Sequence, residues 1–566
     1  MPNQIPISLS GRKPAFTKPA RKREMTRSAL TAGLFIVAFV ILGTRLVSLG
    51  FAPQQALEAE RHTQLSTALS RPAITDRAGR ILATDIITGS LYANPSKTVD
   101  LDDTVEQLSG LLPGIDPAKL RKKLSSDGQF QWIARKLGPR KQAAIHELGL
   151  PGIGFTSEPH RVYPAGAAAA HILGHVDIDN KGLAGIETYI DRAPAIARPH
   201  GDKWQERGSV ALAMDLSVQH AVREEMIAAL RRYKAKAAAG LVLDIHSGEI
   251  VSLVSLPDYD PNKRDQALAK DRYNRVTSGV FELGSVFKMF TVAAALDVGA
   301  ASLSGGYDAR EPIRVGGHKI SDFHAKKRWL SVPEIFIYSS NIGSAKMALD
   351  VGVDRHKAFL RRLGLLSRLE TELGSTAAPI LPANWRRINT MTIAFGHGMS
   401  VTPLQMAAGA ATLLNGGYRI APAFLKRSRE EARVRAERVV KPETSELMRY
   451  LFRLNVKRGS GKRADARGYR VGGKTGTAEK VVGGRYSRNA LLTSFVGAFP
   501  MEAPEYVVLV MLDEPKGTEE TGGRATAGVN AAAVTGRIVE RIGPMLGIVP
   551  RLKERRAFDV ARSASY

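Results

Sequence analysis

The feature of this sequence that most restricts its fold is an uncharged apolar run from Ala29 to Thr44. After Arg45 the chain stays apolar to Gly50. Crossing a bilayer takes roughly 20 residues, and this stretch supplies them if the Arg45 side chain extends to the outer interface. A basic flank keeps its side of a membrane helix cytoplasmic, and the residues of this flank are Arg12, Lys13, Lys18, Arg21, Lys22, Arg23 and Arg27. We therefore expect a single-pass anchor, with the chain that follows it outside the membrane.

Two other interpretations of the apolar run stay open. The first is a buried core helix, against which the strongly basic flank argues. The second is a cleaved signal peptide, but the run is long for a signal and no small-x-small cleavage site follows it.

The composition narrows the range of partners. The 566 residues carry a formal net charge of +27, which favours polyanionic surroundings such as nucleic acid, anionic lipid or an anionic wall polymer. The sequence has neither zinc-finger spacings nor motifs of interleaved aromatic and basic residues, so we expect no nucleic-acid partner. Cysteine is absent, which excludes disulfides, thiolate metal sites and a cysteine nucleophile.

The chain after the apolar run is long enough for two or three folded units. From about residue 53 to 205 the pattern predicts short strands and helices, with a strand, a turn and a strand over 71–86. Longer elements follow from about residue 208. They are hairpins over 239–256 and 494–513, Ala/Leu-rich helices between these hairpins, and a helix over 527–542. This order indicates an α+β fold in which helices sandwich an antiparallel sheet.

Two histidines four residues apart, His171 and His175, have a spacing that suits metal ligands on a helix. Gly174 lies between them and no third ligand is near in the sequence. We therefore expect packing or capping roles for both rings.

The segment 281–299 carries the first candidate for catalysis. We expect a helix that starts at Ser285 and ends at the glycine that closes the segment, which places Ser285 and Lys288 on one face. A desolvated, neutral lysine can take the proton of a serine nucleophile, and the N–H groups at a helix start can stabilise an oxyanion. The spacing alone is weak evidence, because Ser10 and Lys13 share it in the basic tail.

Two further motifs follow. In Ser339-Ser340-Asn341 a serine and an amide can relay a proton and hold a lysine, although such residues also serve as plain helix caps. We expect Lys474-Thr475-Gly476-Thr477 on a strand, where the glycine permits the close approach of a substrate backbone. A lysine flanked by hydroxyls suits a carboxylate, and the alternative is an edge-strand lysine that discourages aggregation.

The order of the motifs decides between these interpretations, because Ser–x–x–Lys, Ser–x–Asn and Lys–Thr–Gly in that order are typical of β-lactamases and penicillin-binding proteins. The chain resembles the class B penicillin-binding proteins, specifically the septal FtsI type, also called penicillin-binding protein 3. It departs from them at Leu283, where the family usually has Pro, and over 528–533, where the family usually has Ala-Ala-Pro. The matching stretches are TDRAGRILA, RVYPAG, GLAGIE, LPDYDPN, NRVTSGVFELGSVFK, SSNIGSAK, VTPLQMAAGAATLLNGG and GGKTGTAEK.

The resemblance implies an α+β multidomain protein of the inner membrane, with a cytoplasmic N-terminus and a periplasmic catalytic domain. Its expected parts are a basic tail (1–28), a transmembrane signal-anchor helix (29–50), a pedestal or dimerisation domain (51–207), a transpeptidase domain (208–546) and a C-terminal tail (547–566).

The resemblance also implies the roles of the site residues. Ser285 would attack the carbonyl of the penultimate D-Ala of a stem pentapeptide, and Lys288 would take its proton. Ser339 would relay a proton to the leaving D-Ala, while Asn341 would orient Lys288 and the substrate. The expected substrate-binding residues, which would hold the terminal carboxylate, are Lys474, Thr475, Gly476 and Thr477. The backbone N–H groups of Ser285 and Thr477 would form the oxyanion hole.

The implied partners are stem pentapeptides that end in D-Ala-D-Ala, β-lactams, a septal glycosyltransferase and divisome membrane proteins. The resemblance implies no metal and no organic cofactor. The sequence after Thr477 favours the septal type, since elongation-type relatives more often place Trp-Phe where Ser494-Phe495 stands. An elongation-type transpeptidase, a D,D-carboxypeptidase or β-lactamase, and a non-catalytic penicillin sensor or scaffold remain alternatives.

Overall fold

A computed structural model describes residues 20–51, 71–193, 209–374 and 376–552 of the chain. The first element is helix α1 (Ala20–Phe51), whose stretch Ala29–Ser48 is exposed, apolar and, at 20 residues, long enough to cross a membrane. The helix starts at Ala20 rather than at Ala29, because the Arg, Lys and Glu residues before the apolar run are good helix formers. The rest of the expected basic tail lies outside the described residues.

The region expected to be a pedestal is built on a twisted sheet with the strand order β3-β2-β1-β5, and β4 pairs with β2. The predicted strand, turn and strand over 71–86 are confirmed, since β1 and β2 pair antiparallel across a turn. The strands are β1 (Ile74–Thr75), β2 (Ile81–Ala93), β3 (Gln131–Leu137), β4 (Ile153–Val162) and β5 (Val210–Ala211). Helices pack beside this sheet: α2 (Leu101–Leu111), α3 (Pro117–Leu124), α4 (Pro139–Glu147), α5 (Ala170–Leu173) and α6 (Gly185–Arg192).

A buried ion cluster fixes the pedestal strands to α6. The Arg161 guanidinium on β4 lies 2.7 Å from the Glu187 carboxylate on α6 and 3.2 Å from Asp85 on β2. Arg71 reaches the same Glu187 carboxylate at 2.9 Å. Arg161 and Glu187 are both buried, and charges taken out of water require this kind of mutual pairing.

The pedestal joins the catalytic region through shared hydrogen bonds. Strand β5, which follows the expected boundary at 207/208, runs parallel to β1 and completes the pedestal sheet. The boundary itself lies outside the described residues. His171 hydrogen-bonds to the carbonyl of Arg272 at 2.8 Å, and the rings of His171 and His175 both pack edge-on against Tyr259. These contacts agree with the packing role expected for the two histidines.

The catalytic region contains an antiparallel sheet with the strand order β14-β15-β16-β6-β7. Both predicted hairpins are confirmed, because β6 pairs with β7 and β15 pairs with β16. The strands of this sheet are β6 (Ala237–Asp244), β7 (Ile250–Leu256), β14 (Gly472–Val482), β15 (Arg485–Phe499) and β16 (Tyr506–Asp513). Short paired strands lie outside it: β8 (Gly306–Asp308), β9 (Ile313–Val315), β10 (His318–Ile320), β11 (Trp329–Ser331), β12 (Tyr418–Arg419) and β13 (Glu437–Arg438).

Helices cover both faces of this sheet, as the sequence predicts. Along β16 the residues Leu509 and Met511 belong to a core shared with the helices of residues 288–297 and 403–414. Val508 and Val510 belong to a core shared with the helices of residues 216–232 and 531–545. The helices are α7 (Leu216–Arg232), α8 (Arg264–Ala267), α9 (Lys288–Asp297), α10 (Val332–Tyr338), α11 (Asn341–Val351), α12 (Val353–Arg362), α13 (Arg387–Ile393), α14 (Pro403–Leu414), α15 (Arg429–Val434), α16 (Pro442–Arg458) and α17 (Ala531–Met545).

The last helix differs from its prediction at both ends. It starts at Ala531 rather than at residue 527, because the preceding residues form a turn that contacts β14, and the Asn530 side chain caps the first turn. It continues to Met545 rather than ending at residue 542.

Candidate active site

The nucleophile candidate Ser285 lies in a tight turn at the start of a buried helix. Residues Gly284–Phe287 form a 3₁₀ turn, and α9 begins at Lys288, so the expected α-helical start at Ser285 is wrong by one turn. The reason is Gly284, whose φ of +60° is a left-handed conformation that glycine adopts without strain. The Ser285 and Lys288 side chains nevertheless meet as predicted, with Oγ and Nζ 2.9 Å apart.

The Lys288 amine is surrounded by oxygen atoms. Its Nζ lies 2.6 Å from the carbonyl oxygen of Ser339, 2.7 Å from Oδ1 of Asn341 and 3.0 Å from Oγ of Ser339. A neutral amine has two N–H groups and one lone pair. When the carbonyl and amide oxygens accept the two N–H groups, the lone pair is left for the hydroxyl proton of Ser285. The geometry is that of a base.

Burial also favours the neutral form of Lys288. The side chain is buried, and this desolvation holds its pKa well below the usual lysine range. The nearby Lys474 charge lowers this pKa further, while the Asp322 carboxylate opposes both effects. The desolvated lysine that proton transfer from Ser285 requires is therefore present at this position.

The second motif acts both as a helix cap and as a partner of the lysine. Ser339 has a left-handed backbone (φ 59°, ψ 45°) that ends α10, and the Ser340 hydroxyl caps α11 by accepting the N–H of Gly343. This sharp turn directs the Ser339 carbonyl and the Asn341 amide oxygen at the same amine. The capping and catalytic interpretations therefore apply to neighbouring residues of one turn.

The third motif supplies a second buried amine. Lys474 lies on β14 as predicted, is 0% exposed, and its Nζ is 3.0 Å from Oγ of Ser339. Since Lys288 approaches the same hydroxyl, Ser339 links the two lysines. Burial lowers the pKa of Lys474 to about 7, so an anion beside this amine would favour its charged form.

The other residues of the third motif contact neighbouring protein groups. The Thr475 hydroxyl is 2.6 Å from Oγ of Ser460, and the Thr477 hydroxyl accepts the backbone N–H of Ala527 at 3.1 Å. A side chain at Gly476 would place its Cβ 2.3 Å from the carbonyl oxygen of Leu283. The close approach that the glycine permits here is therefore that of the nucleophile's own turn. Binding of a carboxylate by these residues stays a prediction.

Sequence reasoning missed a set of residues beside Ser285. A Cβ at Gly396 would lie 2.1 Å from the carbonyl oxygen of Gly284, so the loop carrying His397 packs directly on the nucleophile's turn. Burial is the largest cause of the lowered pKa of His397. Tyr486 on β15 hydrogen-bonds through its hydroxyl to the Glu282 carboxylate at 3.0 Å. These residues lie far apart in the sequence, and no spacing pattern connects them.

The sequence also carries no signal for Ser460 and Asp322, because no spacing pattern connects them with the three motifs. Ser460 follows α16 and meets Thr475 only because α16 packs along β14. Asp322 follows β10 and contacts the second motif across a gap of 18 residues. Neither residue belongs to a recognisable local motif.

The assembled geometry suits acyl transfer through a serine ester. A partly exposed hydroxyl, a neutral amine 2.9 Å away and a second hydroxyl between two amines provide a nucleophile, a base and a proton path. The described residues hold no cluster of His, Cys, Asp and Glu that could bind a metal ion.

Two protein-family models match the catalytic region and the region before it. A model described as the penicillin binding protein transpeptidase domain matches residues 238–540, more than half of the chain. The chain belongs to this penicillin-binding protein family. A second model, described as the Penicillin-binding Protein dimerisation domain, matches residues 67–191. The combination of the two domains makes this chain a class B penicillin-binding protein.

Individual relatives of this penicillin-binding protein cover most of its length. The "Probable peptidoglycan D,D-transpeptidase FtsI" of Caulobacter vibrioides is 39% identical over 488 residues, which are 85% of this chain and 82% of that protein. The "Peptidoglycan D,D-transpeptidase FtsI" of Escherichia coli K12 is 29% identical over 557 residues, or 92% and 93% of the two chains. A solved peptidoglycan synthetase from Bifidobacterium adolescentis shares the fold, with a TM-score of 0.66 at 21% identity, over 86% of this chain and 97% of that one.

Proposed function

We propose that this penicillin-binding protein is a serine D,D-transpeptidase that cross-links peptidoglycan stem peptides at the division septum. One observation carries the proposal: the hydrogen-bonded line that joins Ser285, Lys288, Ser339 and Lys474 within a family of transpeptidase domains. The names of the Caulobacter and Escherichia relatives support the same activity.

Acylation is the first half of the reaction. The Ser285 oxygen attacks the carbonyl carbon of the penultimate D-Ala while Lys288 accepts the hydroxyl proton. Collapse of the tetrahedral intermediate breaks the peptide bond to the terminal D-Ala. The proton that the leaving amine needs passes through Ser339, which touches both lysines. The product is an ester on Ser285 and free D-Ala.

The third motif, Lys474-Thr475-Gly476-Thr477, would orient the substrate. A carboxylate beside Lys474 would stabilise the ammonium form of a group whose pKa is about 7, so binding and protonation reinforce each other. Thr475, Gly476 and Thr477 complete this binding segment on β14. The backbone N–H groups of Ser285 and Thr477 are the proposed oxyanion donors.

Deacylation completes the cross-link. The neutral amino group of a neighbouring stem peptide attacks the ester carbonyl and forms the new amide bond. The ester bond to Ser285 then breaks, and one proton of the amine passes through the same relay to the departing Ser285 oxygen, which becomes a free hydroxyl. β-Lactams resemble the D-Ala-D-Ala end and would form a stable ester with Ser285.

The proposal includes a location and partners. Helix α1 would anchor the protein in the inner membrane with residues 1–28 cytoplasmic, and the pedestal (51–207) and transpeptidase domain (208–546) would lie in the periplasm. A septal glycosyltransferase and divisome membrane proteins are the proposed partners.

Labelling and product analysis test the activity. A fluorescent penicillin is expected to label the wild type and to fail with Ser285→Ala, because no other hydroxyl contacts Lys288 from the nucleophile's turn. The purified wild type is expected to release D-Ala and form a peptide dimer from stem pentapeptides. Release of D-Ala without dimers would identify a carboxypeptidase, and labelling without either product would identify a sensor. Undiminished labelling of Ser285→Ala would overturn the nucleophile.

Depletion tests the septal role. Cells that lose the protein are expected to grow without dividing, as filaments or branched cells, and a fluorescent fusion is expected at mid-cell. Rounded cells that still divide, with a lateral or polar signal, would identify the elongation-type alternative.

A further inference from the structure

Asp322 contacts the second catalytic motif with both of its carboxylate oxygens. Oδ1 accepts the backbone N–H groups of Asn341 at 2.6 Å and of Ile342 at 3.0 Å, and Oδ2 accepts the hydroxyl of Ser340 at 2.8 Å. The neighbouring carbonyl of Ser321 accepts an N–H of the Asn341 side chain at 2.9 Å. Ser321 and Asp322, two neighbouring residues after β10, thus hold the second motif in place by hydrogen bonds.

The hydrogen bonds of Asp322 satisfy backbone N–H groups at the start of α11. The first N–H groups of a helix have no partner within the helix. The Ser340 cap accepts only the N–H of Gly343, so Asp322 takes the N–H groups of Asn341 and Ile342. A carboxylate is also favoured by the dipole at a helix N-terminus.

The same contacts fix the catalytic amide. Asn341 presents Oδ1 to Lys288 at 2.7 Å, while its Nδ2 is held by Ser321 and its backbone by Asp322. Rotation or displacement of Asn341 would break the contact with Lys288. The position of the base therefore depends on a residue that touches neither the base nor Ser285.

Asp322 also acts on the base through its charge. Lys288 and Lys474 are both buried and repel each other, and the Asp322 carboxylate raises the pKa of Lys288 against these effects. The charged or titratable groups around Lys288 are Lys474 on β14, His397 on the loop before α14, and Asp322 after β10.

We propose that Asp322 is a positioning residue of the transpeptidase site, which aligns Asn341 with Lys288 and opposes the effect of the Lys474 charge on Lys288. The inference rests on the proposed function, because it assumes that Lys288 is the base of acylation.

Replacement of the charge alone is the decisive test. Asp322→Asn keeps an oxygen for the backbone N–H groups and places an amide group against Ser340, so the fold of the turn is expected to survive. Loss of the negative charge lowers the pKa of Lys288 further. Acylation needs neutral Lys288, so the acylation rate falls at low pH, and this fall is the acid limb of the pH–rate profile. In Asp322→Asn the acid limb is expected to move to lower pH by about one unit. Damage to the fold would not move this limb in that direction.

Removal of the contacts is the second arm. Asp322→Ala is expected to slow acylation by a fluorescent penicillin about 100-fold, since a misplaced base costs that order of magnitude. Asp322→Asn is expected to recover most of this loss near the pH optimum. The matched control is Asp354→Asn, which removes an exposed carboxylate from the first turn of α12 and is expected to change neither the rate nor the pH profile.

The outcomes distinguish a failure of the proposed transpeptidase function from a failure of the proposed role of Asp322. An unlabelled wild type would contradict the proposed function itself. A labelled wild type with an unmoved acid limb in Asp322→Asn would overturn the electrostatic role of Asp322. An Asp322→Ala protein that melts like the wild type and acylates at its rate would overturn the positioning role. If Asp322→Ala fails to fold, the pH profile of Asp322→Asn still decides the electrostatic role of Asp322.

Discussion

At the scale of single residues, the site depends on two buried lysines with different surroundings. Lys288 meets three oxygen atoms besides the Ser285 hydroxyl, and its pKa is lowered by burial and by Lys474. Lys474 meets Ser339 and a backbone carbonyl, and its pKa is about 7. The first environment favours a permanent base. The second favours a cation that forms when an anion binds.

This difference gives a prediction for Lys288→Arg. Arginine stays charged at every accessible pH and cannot take the proton of Ser285. Acylation is therefore expected to collapse across the pH range, measured by fluorescent penicillin labelling and by mass spectrometry of the ester. In the wild type the rate is expected to rise with pH through the depressed pKa of Lys288 and to be fully developed by neutral pH.

Lys480→Arg is the matched control for this experiment. Lys480 lies on the same strand as Lys474, but its amine forms ion pairs with Asp513 and Glu514 instead of contacting a catalytic serine. Its replacement is expected to leave acylation unchanged. Near-normal acylation of Lys288→Arg would mean that another group takes the proton.

At the scale of elements, glycines let three chain segments meet behind the nucleophile. The turn at Gly284 packs against β14 on one side, where Gly476 leaves room for the Leu283 carbonyl. On the other side Gly396 leaves room for the carbonyl of Gly284 itself. The position of Ser285 is therefore set by backbone-to-backbone contacts, which do not adjust as side chains do.

The prediction at this scale concerns Gly396→Ala. Its φ of +88° is unfavourable for alanine, and the new Cβ would lie 2.1 Å from the Gly284 carbonyl oxygen. Since this oxygen is backbone, the nucleophile's turn must shift, and a shift near 1 Å is expected to slow acylation about 100-fold. Stopped-flow acylation of the folded variant measures the effect.

Gly299→Ala separates the steric effect from backbone strain. Gly299 also has a positive φ, +72°, but a Cβ there meets no atom within 4 Å. This variant is expected to lose some stability and to keep its acylation rate. Equal rates for Gly396→Ala and the wild type would show that the turn does not depend on this contact.

At the scale of the whole molecule, the chain combines a long apolar helix with a second compact unit, which carries the catalytic motifs and which the structure describes from residue 71 onward. Four of the five basic residues of helix α1 lie on the N-terminal side of the apolar stretch Ala29–Ser48, and the fifth is Arg45. A basic flank stays cytoplasmic. The catalytic region would then lie on the side of the membrane where peptidoglycan is cross-linked.

A reporter fusion tests this topology. An enzyme that is active only outside the cytoplasm is expected to work when fused after Tyr566 and to be silent when fused after Ser28. Both fusions are checked for stable expression by immunoblotting. Silence of the stable Tyr566 fusion, or activity of the Ser28 fusion, would contradict the proposed orientation.

The sequence by itself determined the N-terminal apolar helix, both hairpins of the catalytic sheet and the three motifs that carry Ser285, Lys288, Ser339, Asn341 and Lys474. Such features are local, because hydrophobic patterns, turn residues and short spacings are fixed within a few residues of one another. The errors at helix ends are local as well. Residues Gly284–Phe287 form a 3₁₀ turn where the start of an α-helix was expected. Helix α17 starts at Ala531, after a turn in which Ala527 contacts Thr477.

Only the tertiary structure decided which residues complete the site. Asp322, Ser460 and Tyr486 contact the motif segments across separations of 18, 15 and 204 residues, and the loop of His397 packs on the turn at Gly284. The positions of these loops and strand ends depend on packing. The depressed pKa values of Lys288 and Lys474 likewise follow from burial, and the charge of Lys474 lowers the pKa of Lys288 further. Desolvation and charge coupling act through space, so no pattern along the chain records them.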